Sequence, residues 1–394
     1  MKILLAYDDT PRMNSGETSM VHQLEREYLL MGHQVKILGM SDCNHSYRNG
    51  NRYYIASFAI PLYPNGRQTF IRRDRYIQEL IDWNPDIIHV HTEFSAAEIC
   101  RRIARKTGAP FMMTQHTDYG KLYFRDTYET LPVRTITKIW GKIVYRHSAI
   151  ITVPSQKAKT VASRNHVHCP LVIAGNGIDL SLFQKPFPEE ERQKMLKQYG
   201  IRHPEKLLVI VSRLSHEKRI QDIFAMMPRL LQRDPEISLL VTGGGPYSNA
   251  LKKQVQKLKL ADHVIFTGAV PREETYRFYK LGRIFLSASD FEMSALSNRE
   301  AMACGLPLIC LDDPALKEIL DNGVNGLTYR TEEEFVERVT HLLNDDAFYQ
   351  KMAAAALEKS KQFSMAACAR NFIRIYQKIV TKYQAYTAQG EQMQ

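Results

Sequence analysis

Residues 284–313 read IFLSASDFEMSALSNREAMACGLPLICLDD. An apolar run ends at the small, polar SAS, and a turn carrying Glu292 follows. EAMACG then has helix-forming composition and closes at Gly305, and LPLICLDD is a second apolar run. Strand, turn, helix and strand within thirty residues make a βαβ unit. Both apolar runs are continuous rather than alternating, as in parallel strands covered on both faces. Two acids, Glu292 and Glu300, stand eight positions apart across the turn.

The same alternation extends in both directions. KLLVIVSRL (206–214), SLLVTGGG (238–245) and HVIFTGAV (263–270) precede the unit, with helical segments between them. An earlier series comprises KILLAY (2–7), VKILGM (35–40), DIIHVHT (86–92), PFMMTQH (110–116), AIITVPS (149–155) and LVIAGNGI (171–178). Between the series, residues 175–194 combine Gly, Pro and a charge cluster, which is linker composition. The chain has 394 residues, more than one core usually serves. The pattern predicts an α/β protein of two Rossmann-like domains, 1–174 and 175–371, followed by a helical segment, 372–394.

Composition narrows the class. Hydrophobic content of 44% and charged content of 24% are those of a soluble globular chain. No run of about 18 apolar residues is present, so no membrane span is expected. MKILLAYDD passes directly into a strand, and no leader is read there. The six cysteines form no CxxC pair, which argues against a zinc site or a disulfide framework and favours the reducing cytoplasm. The net charge of +11 is concentrated: residues 101–164 hold 13 Lys and Arg against 3 Asp and Glu. Tyr119, Tyr123, Phe124, Tyr128, Trp140 and Tyr145 interleave with these cations. The block is either a solvated helical face or a surface for an anionic partner: lipid, nucleic acid or charged substrate.

Ligands of doubly wound sheets bind beyond the carboxyl ends of the strands. Arg213 and Lys218 follow KLLVIV; near a helix start they can converge on phosphate oxygens, or they are ordinary surface cations. Gly16 and the GGGP run (243–246) allow close backbone approach to a ligand, or simply turn the chain. The dinucleotide fingerprint GxGxxG is absent. His116 ends a strand and reads as a polar cleft contact or a structural histidine. His89 and His91 alternate along a strand, which predicts opposite faces. Ser297-x-x-Glu300 matches a capping box, in which the glutamate reaches back to the cap amide. Glu292 has no such structural role and reads as a hydroxyl acceptor or charge stabiliser.

Taken in order, Glu292-x7-Glu300 followed by AMACGLPLI, with SRLSHEK, GGGP, FTGAV and DNGVNGL, resembles retaining GT-B glycosyltransferases of family 4 over essentially the whole chain. The segment HVHTEFSAAEICRRIARKTGAPFMMTQHTDY (89–119) is similar to bacterial diacylglycerol glucosyltransferases. The resemblance implies two Rossmann-like domains whose parallel sheets face a central cleft, and a C-terminal helix crossing back to the first. It implies that Arg213 and Lys218 hold the donor diphosphate, Glu300 the ribose and Glu292 the transferred sugar. The amides of Ala295 and Leu296, with Gly16, would approach the phosphates or the sugar. Val270 would lie by the base, and His116 by the reacting centre. The chain departs from the family pattern at Ala295, where Gly is usual, at Asn298-Arg299, where an apolar pair is usual, and at Met293.

The expectation is therefore a retaining hexosyltransferase using a nucleotide sugar, UDP-glucose by resemblance, and a membrane lipid acceptor such as diacylglycerol. No D-x-D occurs, and no metal or other cofactor is expected. The enzyme would sit peripherally on the inner face of the cell membrane, with Arg101, Arg102, Arg105, Lys106, Lys121, Arg125, Lys138 and Lys142 toward anionic lipid. A soluble or polysaccharide acceptor is the alternative. A nucleic-acid-binding protein is a remote one, since no nucleic-acid motif accompanies the basic block.

Overall fold

The computed structural model describes residues 1–11, 16–59, 67–71, 73–116, 130–164, 169–290 and 294–388. Glu292, Lys121 and Arg125 lie outside them, as do Tyr119, Tyr123, Phe124, Tyr128 and Met293. The chain forms two compact units, Met1–Gly177 with Met365–Gln394, and Ile178–Ser364. The chain changes unit at positions where backbone packs tightly. A side chain on Gly177 would run into Met365 and Cys368. One residue on, Ile178 donates its amide to the Phe363 carbonyl at 2.8 Å.

The first unit holds β1 (Lys2–Ala6), β2 (Gln34–Met40), β3 (Tyr47–Asn49), β4 (Arg52–Ile55), β7 (Ile87–Val90), β8 (Phe111–Thr114), β9 (Ile150–Val153) and β10 (Leu171–Ile173). A small hairpin, β5 (Phe58–Ala59) and β6 (Arg67–Gln68), stands apart. The sheet order is β10-β9-β8-β7-β1-β2-β4-β3, parallel except where β3 pairs with β4. The second unit holds β11 (Leu207–Val211), β12 (Ser238–Thr242), β13 (Val264–Gly268), β14 (Ile284–Ser287), β15 (Leu308–Leu311) and β16 (Gly326–Tyr329). Its order is β13-β12-β11-β14-β15-β16, all parallel. The strand order reverses between β1 and β7 in the first sheet and between β11 and β14 in the second. Helices diverge to opposite faces at such points and leave a crevice at the strand ends.

The continuous apolar runs have a direct packing reason. All five residues of β11 are buried. Leu208 and Ile210 enter the core on one face of the sheet, and Leu207, Val209 and Val211 enter the core on the other. Period-two alternation thus serves two cores at once. In the first unit, Ile3, Leu5, Val21, Leu24 and Tyr28 share a core with Met365, Phe372 and Tyr376 of the C-terminal helix Met365–Ala388.

The glycines of GGGP have a packing role. Gly243 has φ +138°, and a side chain there would strike the Ser212 carbonyl. The Gly244 carbonyl accepts the Leu214 amide at 2.9 Å, and Gly243 donates to the Gly268 carbonyl at 2.9 Å. Three strand ends are thereby laced together by backbone. Gly243→Ala is expected to lower the stability of the chain by roughly 1–3 kcal/mol through strain and overpacking. An unchanged urea midpoint would contradict that account.

Candidate functional site

In the second unit the predicted residues gather where the strand order reverses. Beyond β11, Arg213 projects with its side chain 64% exposed and pairs with Glu217 at 2.8 Å. The Ser215 hydroxyl donates to the same Glu217 oxygen at 2.5 Å. Burial works against the Glu217 charge, but Ser215, its own backbone amide and Arg213 together hold its carboxyl below the usual range. Lys218, two residues before the helix Ile220–Arg233, lines a small cavity with Ser212, Ser287 and Ser297. Two contacts tie this loop to the one beyond β14. Ser289 donates to the Glu217 carbonyl at 3.3 Å, and Arg219 pairs with Asp290 at 3.1 Å. The chain beyond Asp290 carries Glu292, outside the described residues, and re-enters at Ser294.

The helix Leu296–Ala303 begins two residues earlier than the capping box requires. Its cap is Ala295, in the left-handed region at φ +46°, and among the described residues no side chain caps it. Ser297 therefore lies inside the first turn, and Glu300 does not reach back. Its carboxylate points into the protein, where Tyr279 donates to it at 2.9 Å and Arg272 pairs with it at 3.0 Å. Burial pushes the Glu300 carboxyl above its ordinary range, against the pull of Arg272 and Tyr279. Val270 is half-buried against the core beyond β13. The sequence alone does not single out Arg272, Tyr279 or Glu217. Only Glu217, between Arg213 and Lys218, had a local signal.

In the first unit a second group sits beyond β1, β7 and β8. Gly16 opens the helix Gly16–Leu30 with open space where a side chain would be. Asp8 accepts the amides of Phe94 at 3.1 Å and Ala96 at 2.7 Å, at the start of the helix Ser95–Thr107. Burial raises its carboxyl to about 6 despite those bonds. His91 and His116 are hydrogen bonded, Nδ1 to Nε2, at 3.0 Å with their rings stacked. His89 and His91 do not face opposite ways, since their ring centroids are 4.1 Å apart. The strand ends at Val90, so His91 is outside the pleat. His89 is bonded through Nδ1 to Tyr376 and through Nε2 to Thr114, both at 2.6 Å.

The basic block divides. Arg101 is buried, donating to Glu98 at 2.9 Å and to the Val144 carbonyl, so it is not part of a lipid-facing surface. Tyr145 is buried too, its hydroxyl on Glu93. Arg102 and Lys138 are half-buried, and Arg105, Lys106 and Lys142 are exposed. On the helix Leu131–Val144, Ile136, Ile139, Trp140 and Ile143 are between 41% and 53% exposed. Their spacing of three and four residues places them on one face.

Two family descriptions match in tandem. Residues 15–182 match Glycosyltransferase Family 4, and residues 191–359 match Glycosyl transferases group 1. The chain is a glycosyltransferase. It is 29% identical to an alpha-monoglucosyldiacylglycerol synthase of Streptococcus pneumoniae, over 87% of its own length and 78% of that protein's. It is 24% identical to the synthase of that name from Acholeplasma laidlawii, over 93% and 94%. Its fold matches Anabaena Alr3699/HepE, crystallised with UDP and glucose, at TM-score 0.73 and 15% identity, covering 96% and 100% of the two chains. It also matches a sucrose-phosphate synthase from Thermosynechococcus elongatus, at TM-score 0.74 and 18% identity, covering 97% and 99%. The glycosyltransferase is thus of GT-B type.

The departures from the family pattern acquire physical content. Position 295 takes the left-handed conformation that a glycine adopts freely, and an alanine there bears roughly 1–2 kcal/mol of strain. Asn298 is fully buried and donates to the Cys310 sulfur at 3.1 Å. Arg299, also buried, lies over the Phe363 ring at 5.0 Å. Among the described residues no group of three His, Cys, Asp or Glu side chains is arranged to hold a metal ion.

Burial holds His89, His91 and His116 below the ordinary histidine value; mutual repulsion adds to this for His89 and His91, and Glu17 opposes it for His116. Unfolded, they titrate near 6.5. Below that pH the unfolded chain takes up protons that the folded unit refuses, so stability falls as pH drops. Asp8, raised to about 6, acts oppositely, its contribution being lost as pH rises through that value. The urea midpoint is expected to fall more steeply between pH 7 and 5.5 in the parent enzyme than in His91→Gln. Parallel falls would show that His91 is not a buried neutral group.

Proposed function

We propose that this glycosyltransferase moves a glucosyl group from UDP-glucose to a hydroxyl of a membrane lipid of the diacylglycerol type, with retention at the anomeric carbon. The observation that carries the lipid acceptor is the exposed stripe Ile136, Ile139, Trp140 and Ile143, with Lys138 and Lys142 on the same helix. An amphipathic helix of that composition suits the headgroup boundary of an anionic bilayer. Each nearby lysine would add about 1 kcal/mol. The likeness to the two diacylglycerol-directed synthases supports the same acceptor class, and the UDP and glucose held by the Anabaena protein support the donor. Among the described residues no helix is long and apolar enough to cross a membrane, which is compatible with peripheral attachment to the inner leaflet.

In this reading the donor lies in the crevice beyond β11 and β14. Arg213 leaves Glu217 to grip the diphosphate, and Lys218 adds a compact charge. The free amides at the start of the helix Leu296–Ala303 contribute partial positive charge. Glu300, positioned by Tyr279 and Arg272, receives the ribose hydroxyls, with Val270 by the base. Glu292 contacts the transferred sugar. Gly16 and His116 serve the sugar and the reacting centre. The acceptor oxygen bonds to the anomeric carbon as the bond to the diphosphate breaks, and the departing phosphate takes the acceptor proton on the same face. Charge grows on the diphosphate in that step, where preorganised cations count most. Arg213 and Lys218 supply it, so the reading requires no metal.

Two measurements test the proposal. Transfer from UDP-glucose to diacylglycerol, followed by product mass, is expected to be nearly abolished by Glu292→Gln and lowered about 10²–10³-fold by Arg213→Ala, with melting temperatures retained. Unchanged turnover in Glu292→Gln would remove that residue from the site. Flotation with anionic vesicles is expected to capture the parent chain and to weaken at least about tenfold in Ile139→Ser/Ile143→Ser. Negligible capture, together with transfer to a water-soluble acceptor, would favour a soluble substrate.

A further inference from the structure

The first unit has a second place that the transfer reaction does not use. A cavity of about 420 Å³ is lined by Glu98, Arg101, Arg105, Arg146, Ser148 and Tyr383, among others. Its floor is apolar, built from Ala104, Ala109, Phe111 and Ala149. Ala109 and Phe111 lie at the entry to β8, and Ser148 and Ala149 immediately precede β9. The cavity is therefore at the amino ends of these strands, the sheet edge opposite His116.

Two guanidinium groups share one carboxylate there, and a third, Arg105, lines the cavity beside them. Glu98 pairs with Arg101 at 2.9 Å and with Arg146 at 3.2 Å. Arg101 is fixed by Glu98 and the Val144 carbonyl. Arg105 and Arg146 are exposed, and Arg105 has no hydrogen-bond or ion-pair partner among the described residues. The lining thus carries two positive charges in excess. The Ser148 hydroxyl is buried and has no hydrogen-bond partner among the described residues. Leaving such a group unpaired is costly, and a ligand acceptor would recover that cost. All three arginines hold the Glu98 carboxyl low, although its burial acts the other way.

We propose that this cavity binds a phosphate ester. A phosphomonoester carries close to two negative charges at neutral pH and three acceptor oxygens, which matches the excess charge. Arg105 and Arg146 offer forked donors to those oxygens, and Ser148 donates a further bond. The volume falls within the range of small-molecule sites, about 300–1,000 Å³, so space remains for an organic group over Phe111 and Ala109. The source is either a soluble phosphorylated metabolite or a lipid headgroup. The proposal is independent of the acceptor assigned to the transfer reaction.

The test is calorimetric titration of the full chain with inorganic phosphate and with glycerol phosphate, against sodium chloride at matched ionic strength. It is done in the Arg213→Ala background, which removes the phosphate-facing arginine of the second unit. Saturable binding is expected, weakened at least tenfold by Arg105→Gln/Arg146→Gln and severalfold by Ser148→Ala. Both arginines are exposed, so the variants should keep the parent melting temperature. Displacement by phosphatidic acid vesicles would identify a headgroup, and retention of glycerol phosphate against them a soluble ester; either supports the site. Absence of saturable binding, or equal affinity in the arginine double variant, would overturn it.

Discussion

The reversal of strand order between β11 and β14 is the constraint on which the rest of the second unit depends. Parallel strands bring every strand end to one edge, and crossover helices cover both faces. Where the order reverses, the two helices leave in opposite directions and a crevice is left between them. The loops beyond β11 and β14 must then hold each other, and they do so through Arg219 with Asp290 and Ser289 with the Glu217 carbonyl. Glycines let GGGP lie against Ser212 and Leu214, closing one side of the gap with backbone alone. Cations, a helix start and a buried glutamate therefore meet at one edge because of topology.

Much of this was legible in the sequence. Strands buried on both faces need apolar residues at every position, and eleven such runs could be read directly. β3 and β4 were not among them, because YRN and RYYI mix tyrosine with arginine at a sheet edge. Nor was β16, whose GLTY begins with glycine and follows a turn-rich segment. Strand order is a matter of long-range pairing and leaves no local mark.

Local patterns mislead where an element ends. The alternation that would set His91 opposite His89 stops with the strand at Val90. The capping box at Ser297 falls inside a helix that Ala295 already opens at positive φ. Glu300 then faces inward, toward Tyr279, which lies 21 residues away in sequence and could be found only through the fold. Arg101 likewise belonged to a charge run in sequence but is drawn inside by Glu98 and Val144. A run of like charges describes composition, while burial depends on which helix face each residue occupies.

The C-terminal helix has a consequence for how the chain is made. Tyr376 joins Tyr28 at 3.0 Å and His89 at 2.6 Å, and Phe372 and Ile373 complete the core beneath β1 and β7. These partners leave the ribosome after the whole second unit. Until then the nascent first unit carries an uncovered apolar surface and a buried histidine without its tyrosine. The second unit, contiguous from Ile178 to Ser364, has no such dependence and can finish folding first, although it is synthesised later.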